Sequence, residues 1–375
     1  MSALSELDLQ RLREAIELAH EAIGVSDPNP RVGCVLGRSD GSVLGRGATQ
    51  RAGGPHAEVV ALRDATGHDL RGCTAWVSLE PCSHHGRTPP CCDALIEAGV
   101  GRVVVAVADP YPEVDGRGIA RLRAAGIQVD LAEGEVAREA RELNIGFFSR
   151  HERGRPWVRV KVAMSLDGRT ALPDGRSRWI TSEAARTDGH AWRRRASAVL
   201  TGIGTVLADN PRLDVRLVQT ELQPLRVVLD SALRTPTTAR LLEPPGRVLL
   251  AAARDADGRA DGLRRRGAEV VLMPGADGRV DLPALVGELA RRAINELHVE
   301  AGAALNGALM RAGLVDEWLV YQAGVLLGEG PGIARIEAPA QLAAAPRWQF
   351  VDLKSVGPDV RFLMRPIASS TRDTP

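Results

Sequence analysis

At 375 residues with 44% hydrophobic content, the chain can build two ordinary domains, each with its own core. Lys and Arg number 48 against 47 Asp and Glu, and aromatics make up 3%, so the sequence lacks the basic field and stacking side chains of a nucleic-acid binder. No apolar run reaches the roughly 18 residues needed to span a bilayer, and Glu6, Asp8 and Glu14 among the first leucines argue against a secretory signal; a cytoplasmic protein without a membrane or nucleic-acid partner is expected.

In chain order, residues 7–22 place Leu9, Leu12, Ile16 and Ala19 on one helical stripe. After the turn Asp27-Pro28-Asn29-Pro30, residues 32–36 form a short apolar strand. A helix is predicted over 57–63, a strand over 74–79, a helix over 91–98 closed by Gly99, a buried strand over 103–108 and a helix over 135–148. This alternation suits a three-layer α/β/α domain with its site along the carboxyl edge of the sheet. Residues 149–156 combine charge, Gly and Pro without an apolar period, which is linker chemistry. The expected domains are therefore 1–150 and 151–368, with 369–375 a frayed tail.

Residues 157–163 alternate with period two and open the second half. Strands are predicted over 198–201, 226–230, 247–251, 270–273, 297–300 and 318–322, and helices over 183–195, 283–293 and 302–312. No strand-linked Gly-x-Gly-x-x-Gly occurs, so a Rossmann dinucleotide site is not expected. The turns Thr201-Gly202-Ile203-Gly204-Thr205 and Glu300-Ala301-Gly302 both follow strands. Spacing leaves two readings open, plain tight turns or backbone N–H groups that hold a cofactor phosphate.

The densest chemistry lies at His56-Ala57-Glu58, Pro81-Cys82 and Cys91. One imidazole and two thiolates can hold Zn²⁺ with a fourth position open for water, and Glu58 can carry the water's proton to a departing amine. A structural zinc site remains an alternative, with Cys92 as fourth ligand. All five cysteines, Cys34, Cys73, Cys82, Cys91 and Cys92, fall in the first quarter of the chain and read as reduced thiols. The eight residues between Cys82 and Cys91, His84, His85 and Arg87 among them, are more than most nucleobase deaminases use and can line a pocket.

The stretch Leu79-Glu80-Pro81-Cys82-Ser83-His84-His85-Gly86-Arg87-Thr88-Pro89-Pro90-Cys91 closely resembles the deaminase half of the RibD family of bifunctional riboflavin-biosynthesis deaminase/reductases, as does Asp27-Pro28-Asn29-Pro30-Arg31-Val32-Gly33-Cys34-Val35. Lys161-Val162-Ala163-Met164-Ser165-Leu166-Asp167-Gly168-Arg169, Trp179-Ile180-Thr181-Ser182, Gly204-Thr205-Val206-Leu207-Ala208-Asp209-Asn210-Pro211 and Glu300-Ala301-Gly302 resemble its reductase half in the same order. The resemblance implies a cytidine-deaminase-like three-layer α/β/α domain followed by a dihydrofolate-reductase-like α/β domain. It implies Zn²⁺ and NADPH as cofactors, and a phosphoribosylaminopyrimidine as small-molecule substrate of a homo-oligomer. NADPH contacts then fall on Ala163, Trp179, Thr205, Asp209, Ser231, Gly302, Ala303, Ala304, Leu305, Asn306, Gly307 and Ala308. Substrate contacts fall on Asn29, Ser177, Arg193, Leu213, Arg216 and Glu300.

The implied reactions are hydrolytic deamination of 2,5-diamino-6-(5-phosphoribosylamino)pyrimidin-4(3H)-one, then reduction of the ribosyl group of 5-amino-6-(5-phosphoribosylamino)uracil to ribityl. No general acid for the reduction stands out; Lys161, Asp167 and Glu300 are candidates. The chain departs from the family pattern at Thr49 and Val60, where the family has His, and at Tyr111, where it has Asn. In the reductase half, Gln322-Ala323-Gly324 replaces an Ala-Pro turn and Asn210 a common Asp. The first three motivate an alternative, a divergent paralogue acting on a related aminopyrimidine or keeping one activity. Near-zero net charge and few aromatics disfavour a nucleic-acid-editing deaminase.

Overall fold

The computed structural model describes residues 4–83 and 89–367, so the expected tail and loop residues His84, His85, Gly86, Arg87 and Thr88 lie outside the described residues. It divides into two compact units, Met1–Arg155 and Pro156–Pro375. No helix among the described residues is long and apolar enough to cross a membrane.

The first unit runs α1 (Glu6–Ala19), β1 (Gly33–Gly37), β2 (Val43–Ala48), α2 (Ala57–Asp64), β3 (Thr74–Val77), α3 (Cys91–Glu97), β4 (Arg102–Val105), α4 (Arg117–Ala124), β5 (Gln128–Leu131), α5 (Glu135–Leu143) and α6 (Ile145–Arg153). Its sheet has the order β2-β1-β3-β4-β5, with β3, β4 and β5 parallel and the β1 pairings antiparallel. The predicted α1 stripe buries Leu12, Ile16 and Ala19 against Val35, Trp76 and Val104 on one face of the sheet, where Val136 and Ala140 of α5 join them. On the opposite face Ala57 and Ala61 of α2, Leu95 of α3 and Leu122 of α4 pack on Cys34, Ala75 and Val103. Strand β2 can lie under α2 because it carries glycines. A Cβ at Gly47 would stand 2.2 Å from the Ala57 carbonyl oxygen, and one at Gly45 2.4 Å from that of Ala61.

Two expectations change here. The helix predicted over 135–148 is broken at Asn144 into α5 and α6. The segment read as linker is helical as far as Arg153, because Ile145, Phe147 and Phe148 anchor α6 by burial, and Gly154 ends it in a left-handed conformation.

The second unit runs β6 (Trp157–Met164), α7 (Glu183–Arg195), β7 (Ala198–Gly202), α8 (Ile203–Asp209), β8 (Leu225–Leu229), β9 (Val248–Ala252), α9 (Ala260–Arg265), β10 (Ala268–Leu272), α10 (Leu282–Arg291), β11 (Glu296–Val299), α11 (Ala303–Arg311), β12 (Glu317–Gln322), β13 (Trp348–Val356) and β14 (Asp359–Pro366). The sheet order is β10-β9-β8-β7-β11-β6-β12-β14-β13, parallel through β12 and closed by an antiparallel hairpin. Strand β11 inserts between β7 and β6, which makes its carboxyl end the switch point where open α/β sheets bind ligands.

The period of β6 has an unexpected meaning. Val158, Val160 and Val162 face an apolar core shared with Leu285 and Leu289 of α10 and Leu309 of α11. The alternate face is not solvated: Arg159 is fully buried and pairs with Glu296 of β11, at 2.8 Å, and with Glu317 of β12. A buried cation survives there because both neighbouring strands supply a carboxylate.

In the first unit, Asp8 closes a capping box with Ser5 and also accepts from Trp76 Nε1 at 2.8 Å and Arg102 Nη1 at 2.7 Å. Burial alone would raise its pKa, but the hydrogen bonds from Arg102, Trp76 and Ser5 outweigh it and hold the carboxyl well below the usual range. A depressed carboxyl stabilises fully above its unfolded pKa of about 4, and that stability is lost as pH falls through and below it. Asp8→Asn should cost about 2 kcal/mol at pH 7, read as a melting temperature roughly 4–8 °C lower. Below pH 4 the variant and the parent should converge; a constant gap across that range would sink the linkage.

Candidate active sites

His56 is the N-cap of α2, Glu58 sits in the first turn, Cys82 follows β3, and Cys91 opens α3. Strand end and helix starts thus bring the three candidate ligands together, with their ligand atoms all within 4.8 Å of one another. His56 Nδ1 lies 3.2 Å from Cys91 Sγ and 3.6 Å from Cys82 Sγ, so Nδ1 is the nitrogen turned inward. The Cys91 backbone N–H donates to Cys82 Sγ at 3.3 Å, a contact that favours a thiolate. Hydrogen bonding from Cys91 lowers the Cys82 pKa, while the same contact and burial raise that of Cys91. Contact with Cys82 raises His56. Burial, and then the Cys82 sulfur, push the Glu58 carboxyl up to about 7. Two sulfurs, one imidazole and a crowded carboxylate call for a cation, and the donor set fits zinc.

Cys92 does not join them. Its thiol donates to the carbonyls of Pro81 at 3.4 Å and Gly118 at 3.5 Å, which removes the fourth ligand that a structural zinc site required. Asn29 lies in the loop before β1, its N–H on the Ser26 carbonyl at 2.9 Å. That loop is clamped by Asn144, whose Oδ1 accepts the Arg31 N–H and whose Nδ2 donates to the Arg31 carbonyl, both at 2.8 Å.

The three departures fall around this region. Thr49 is buried, and its Oγ1 accepts the Val32 N–H at 3.3 Å. Val60 is half-buried on α2, over Gly47. Tyr111 sets its ring 4.9 Å from the His151 ring, and its N–H donates to Asp109 Oδ1 at 2.8 Å. Burial pushes Asp109 up to about 7 and, with Arg150 nearby, His151 down to about 4.

In the second unit, the parallel strands end along one edge and carry Ala163 near the end of β6, Thr205 and Asp209 on α8, Ser231 after β8 and Glu300 after β11. Two expected substrate contacts meet each other: Arg193 grips both carboxylate oxygens of Glu300, with Nη2 to Oε2 at 2.8 Å, and its Nη1 donates to the Asp214 carbonyl at 2.9 Å. Arg216 pairs with Asp214 at 2.7 Å, and Leu213 is buried with a φ of +56°. Ser177 is half-buried in the loop leading to Trp179, which is 69% exposed with the Arg186 guanidinium 4.4 Å over its ring.

Along α11, Gly302 is the N-cap and Ala304 is open, with Ala303, Leu305 and Ala308 partly covered. Asn306 and Gly307 turn inward. Asn306 Nδ2 donates to the Ile333 carbonyl at 2.8 Å, and a Cβ at Gly307 would meet the Arg335 carbonyl oxygen at 2.0 Å. Asn210 caps α8 in a left-handed conformation that Asn tolerates well, and its Oδ1 accepts the Arg240 N–H at 2.8 Å.

The three acid candidates separate by surroundings. Asp167 is held by hydrogen bonds from Ser165 and the Leu327 and Gly328 N–H groups, which bring it down to about 2. Burial favours neutral Glu300, but Arg193 overrides it and keeps the carboxylate charged. Burial lowers Lys161 towards proton release, with Glu300 opposing. The surroundings thus push Asp167 and Glu300 towards the charged carboxylate and Lys161 towards the neutral amine.

Residues 5–107 match the cytidine and deoxycytidylate deaminase zinc-binding region, and residues 156–362 match the RibD C-terminal domain. The riboflavin biosynthesis protein RibD of Escherichia coli K12 is 45% identical over 362 residues, covering 93% of this chain and 96% of that protein. The solved structure of Acinetobacter baumannii RibD, form 1, superposes with a TM-score of 0.87 at 39% identity, over 96% of this chain and 99% of that one. The diaminohydroxyphosphoribosylaminopyrimidine deaminase/5-amino-6-(5-phosphoribosylamino)uracil reductase of Thermotoga maritima gives 0.85 at 32% identity, over 96% and 99%. Two independent domain matches in one order, and relatives aligned over nearly the whole chain, lead to one conclusion: this chain belongs to the RibD family of riboflavin-biosynthesis proteins.

Proposed function

We infer that the chain is a bifunctional enzyme of riboflavin biosynthesis. Its first unit deaminates 2,5-diamino-6-(5-phosphoribosylamino)pyrimidin-4(3H)-one, and its second reduces the ribosyl group of 5-amino-6-(5-phosphoribosylamino)uracil with NADPH. The observation that carries the deaminase reading is the convergence of His56, Cys82 and Cys91 beside buried Glu58. His56 Nδ1 and the two sulfurs would hold zinc, which when bound supplies the Lewis acidity that makes a water nucleophilic near neutral pH. Glu58 takes up a proton at its carboxyl and passes it to the departing amine, and its burial excludes bulk water from that transfer.

In the second unit NADPH, when bound, supplies the hydride for C1′ of the ring-opened ribose. The open start of α11 at Gly302 offers backbone N–H groups for a cofactor phosphate. Trp179, Thr205, Asp209, Ser231 and Ala163 lie in the segments that would complete that cofactor site. Arg193 fixes Glu300 for the substrate, Arg216 grips its phosphate, and Lys161 supplies the proton that accompanies hydride, a reading supported by the Arg193–Glu300 pair and by the burial that lowers Lys161. The proposal extends to a cytoplasmic homo-oligomer, supported by five free cysteines and by Phe350 and Leu353 exposed on edge strand β13; sedimentation of the purified chain reads the oligomeric part.

A second reading, altered aminopyrimidine preference, is favoured by the Tyr111 ring packed beside His151 where the family pattern has Asn. Ammonia release from the diaminopyrimidinone phosphate that is slower than from a related aminopyrimidine would select it. Glu58→Gln should reduce ammonia release about a thousandfold while elemental analysis still finds one zinc per chain. Full turnover in that variant would move the proton carrier elsewhere. Lys161→Met should slow NADPH oxidation by roughly two orders of magnitude at 340 nm, with NADPH binding and ammonia release unaltered; an unchanged rate removes Lys161 from the reaction.

A further inference from the structure

Glu80 lies two residues before Cys82 and is 3% exposed. Among the described residues its charge is met by backbone donors and by no cation. Its Oε2 accepts the N–H groups of Asp109 at 3.2 Å and Gly116 at 3.1 Å, and its Oε1 accepts that of Ile119 at 3.1 Å. Gly116 is the N-cap of α4 and has no side chain to cap the helix, so a carboxylate 36 residues upstream takes that place. The backbone around Glu80 is tied as well. Its N–H donates to the Val107 carbonyl at 3.0 Å, and the Cys92 N–H donates to the Cys82 carbonyl at 3.2 Å. A Cβ at Gly118 would stand 2.1 Å from the Pro81 carbonyl oxygen and 3.1 Å from Glu80 Oε1, so the start of α4 fits against this loop only as glycine.

We propose that Glu80 is a positioning residue for deamination, a brace that locks the loop presenting Cys82 to the start of α4 and to the segment carrying Asp109 and Tyr111. The metal-ligand sulfur and that segment then keep one spacing, although 27 residues separate Cys82 from Asp109 in the chain. The inference rests on the reading of Cys82 as a zinc ligand. An amide cannot substitute for this carboxylate. Both oxygens face N–H donors, so whichever way a glutamine is turned its NH₂ meets another N–H.

The test uses the full-length protein with zinc bound. In Glu80→Gln, zinc transfer to a chromogenic chelator should be about tenfold to a hundredfold faster, and the amides of Asp109, Gly116 and Ile119 should lose protection from hydrogen exchange. Zinc release and exchange at parental rates overturn the proposal, even if the melting temperature falls, because a merely structural glutamate would change only the latter. Should Glu80→Gln fail to fold, Gly118→Ala presses on the same contact with the carboxylate retained, and the same two rates decide. Cys82→Ser separates this inference from the ligand assignment. Zinc held as tightly by that variant as by the parent sinks the assignment; zinc lost from it but kept by Glu80→Gln sinks the brace alone.

Discussion

Helix α2 delivers His56 and Glu58 to their places because it rests directly on β2, with no side chain between them at Gly45 and Gly47. That close approach fixes the height of the helix start above the sheet, and therefore where the imidazole and the carboxylate sit relative to the sulfurs at the end of β3 and the start of α3. A methyl group at either glycine would stand within 2.2–2.4 Å of a helix carbonyl oxygen, so the helix would have to lift by roughly an ångström to restore ordinary contact. The site thus inherits its precision from backbone packing, and Glu80 extends the same logic to the opposite wall, where carboxylate-to-amide bonds take the place of a helix on a strand.

The second unit solves a different problem, that of charge inside a parallel sheet. Arg159 lies between Glu296 and Glu317 across three adjacent strands, Arg195 and Arg365 supply the further cations that two carboxylates need, and Arg193 pairs with Glu300 just past the end of β11. Helix α7 covers part of this cluster, with its Trp192 ring 4.4 Å from the Arg159 guanidinium and its Arg195 on Glu296. Arg193 thereby holds Glu300 in place just past the end of β11, while burial lowers the pKa of Lys161 and Glu300 opposes that shift.

How much of this the sequence showed depended on whether the signal was local. Helices with an apolar stripe, such as α1, and runs of Val and Leu, such as β8 and β9, were legible, and so was the triad of His56, Cys82 and Cys91, since residue type and order alone mark zinc chemistry. Strand β2 was missed because its glycines and Arg46 break the alternation that marks a strand, and α4 because Arg117, Arg121 and Arg123 dilute its few apolar residues. The hairpin of β13 and β14 was missed for a related reason: β13 is an edge, exposed along most of its length, and carries no core pattern. Asn144 and Glu80 were invisible as site residues, since their partners are main-chain groups up to 113 positions away, which no side-chain pattern announces. The even alternation of β6 marked the strand correctly but not the buried partners of Arg159, which come from other strands.

The strand order of the second unit bears on how the chain comes off the ribosome. Strands β6 and β7 flank a gap that only β11 can fill, and about a hundred residues of translation separate the end of β7 from the start of β11. At elongation rates of about 5–20 residues per second that is a wait of roughly 5–20 s, during which one edge of β7 and both edges of β6 stand open. Nascent chains stalled before Glu296 should therefore be the ones that chaperones hold, and the unit can close its sheet only after its central strand β11 has been made.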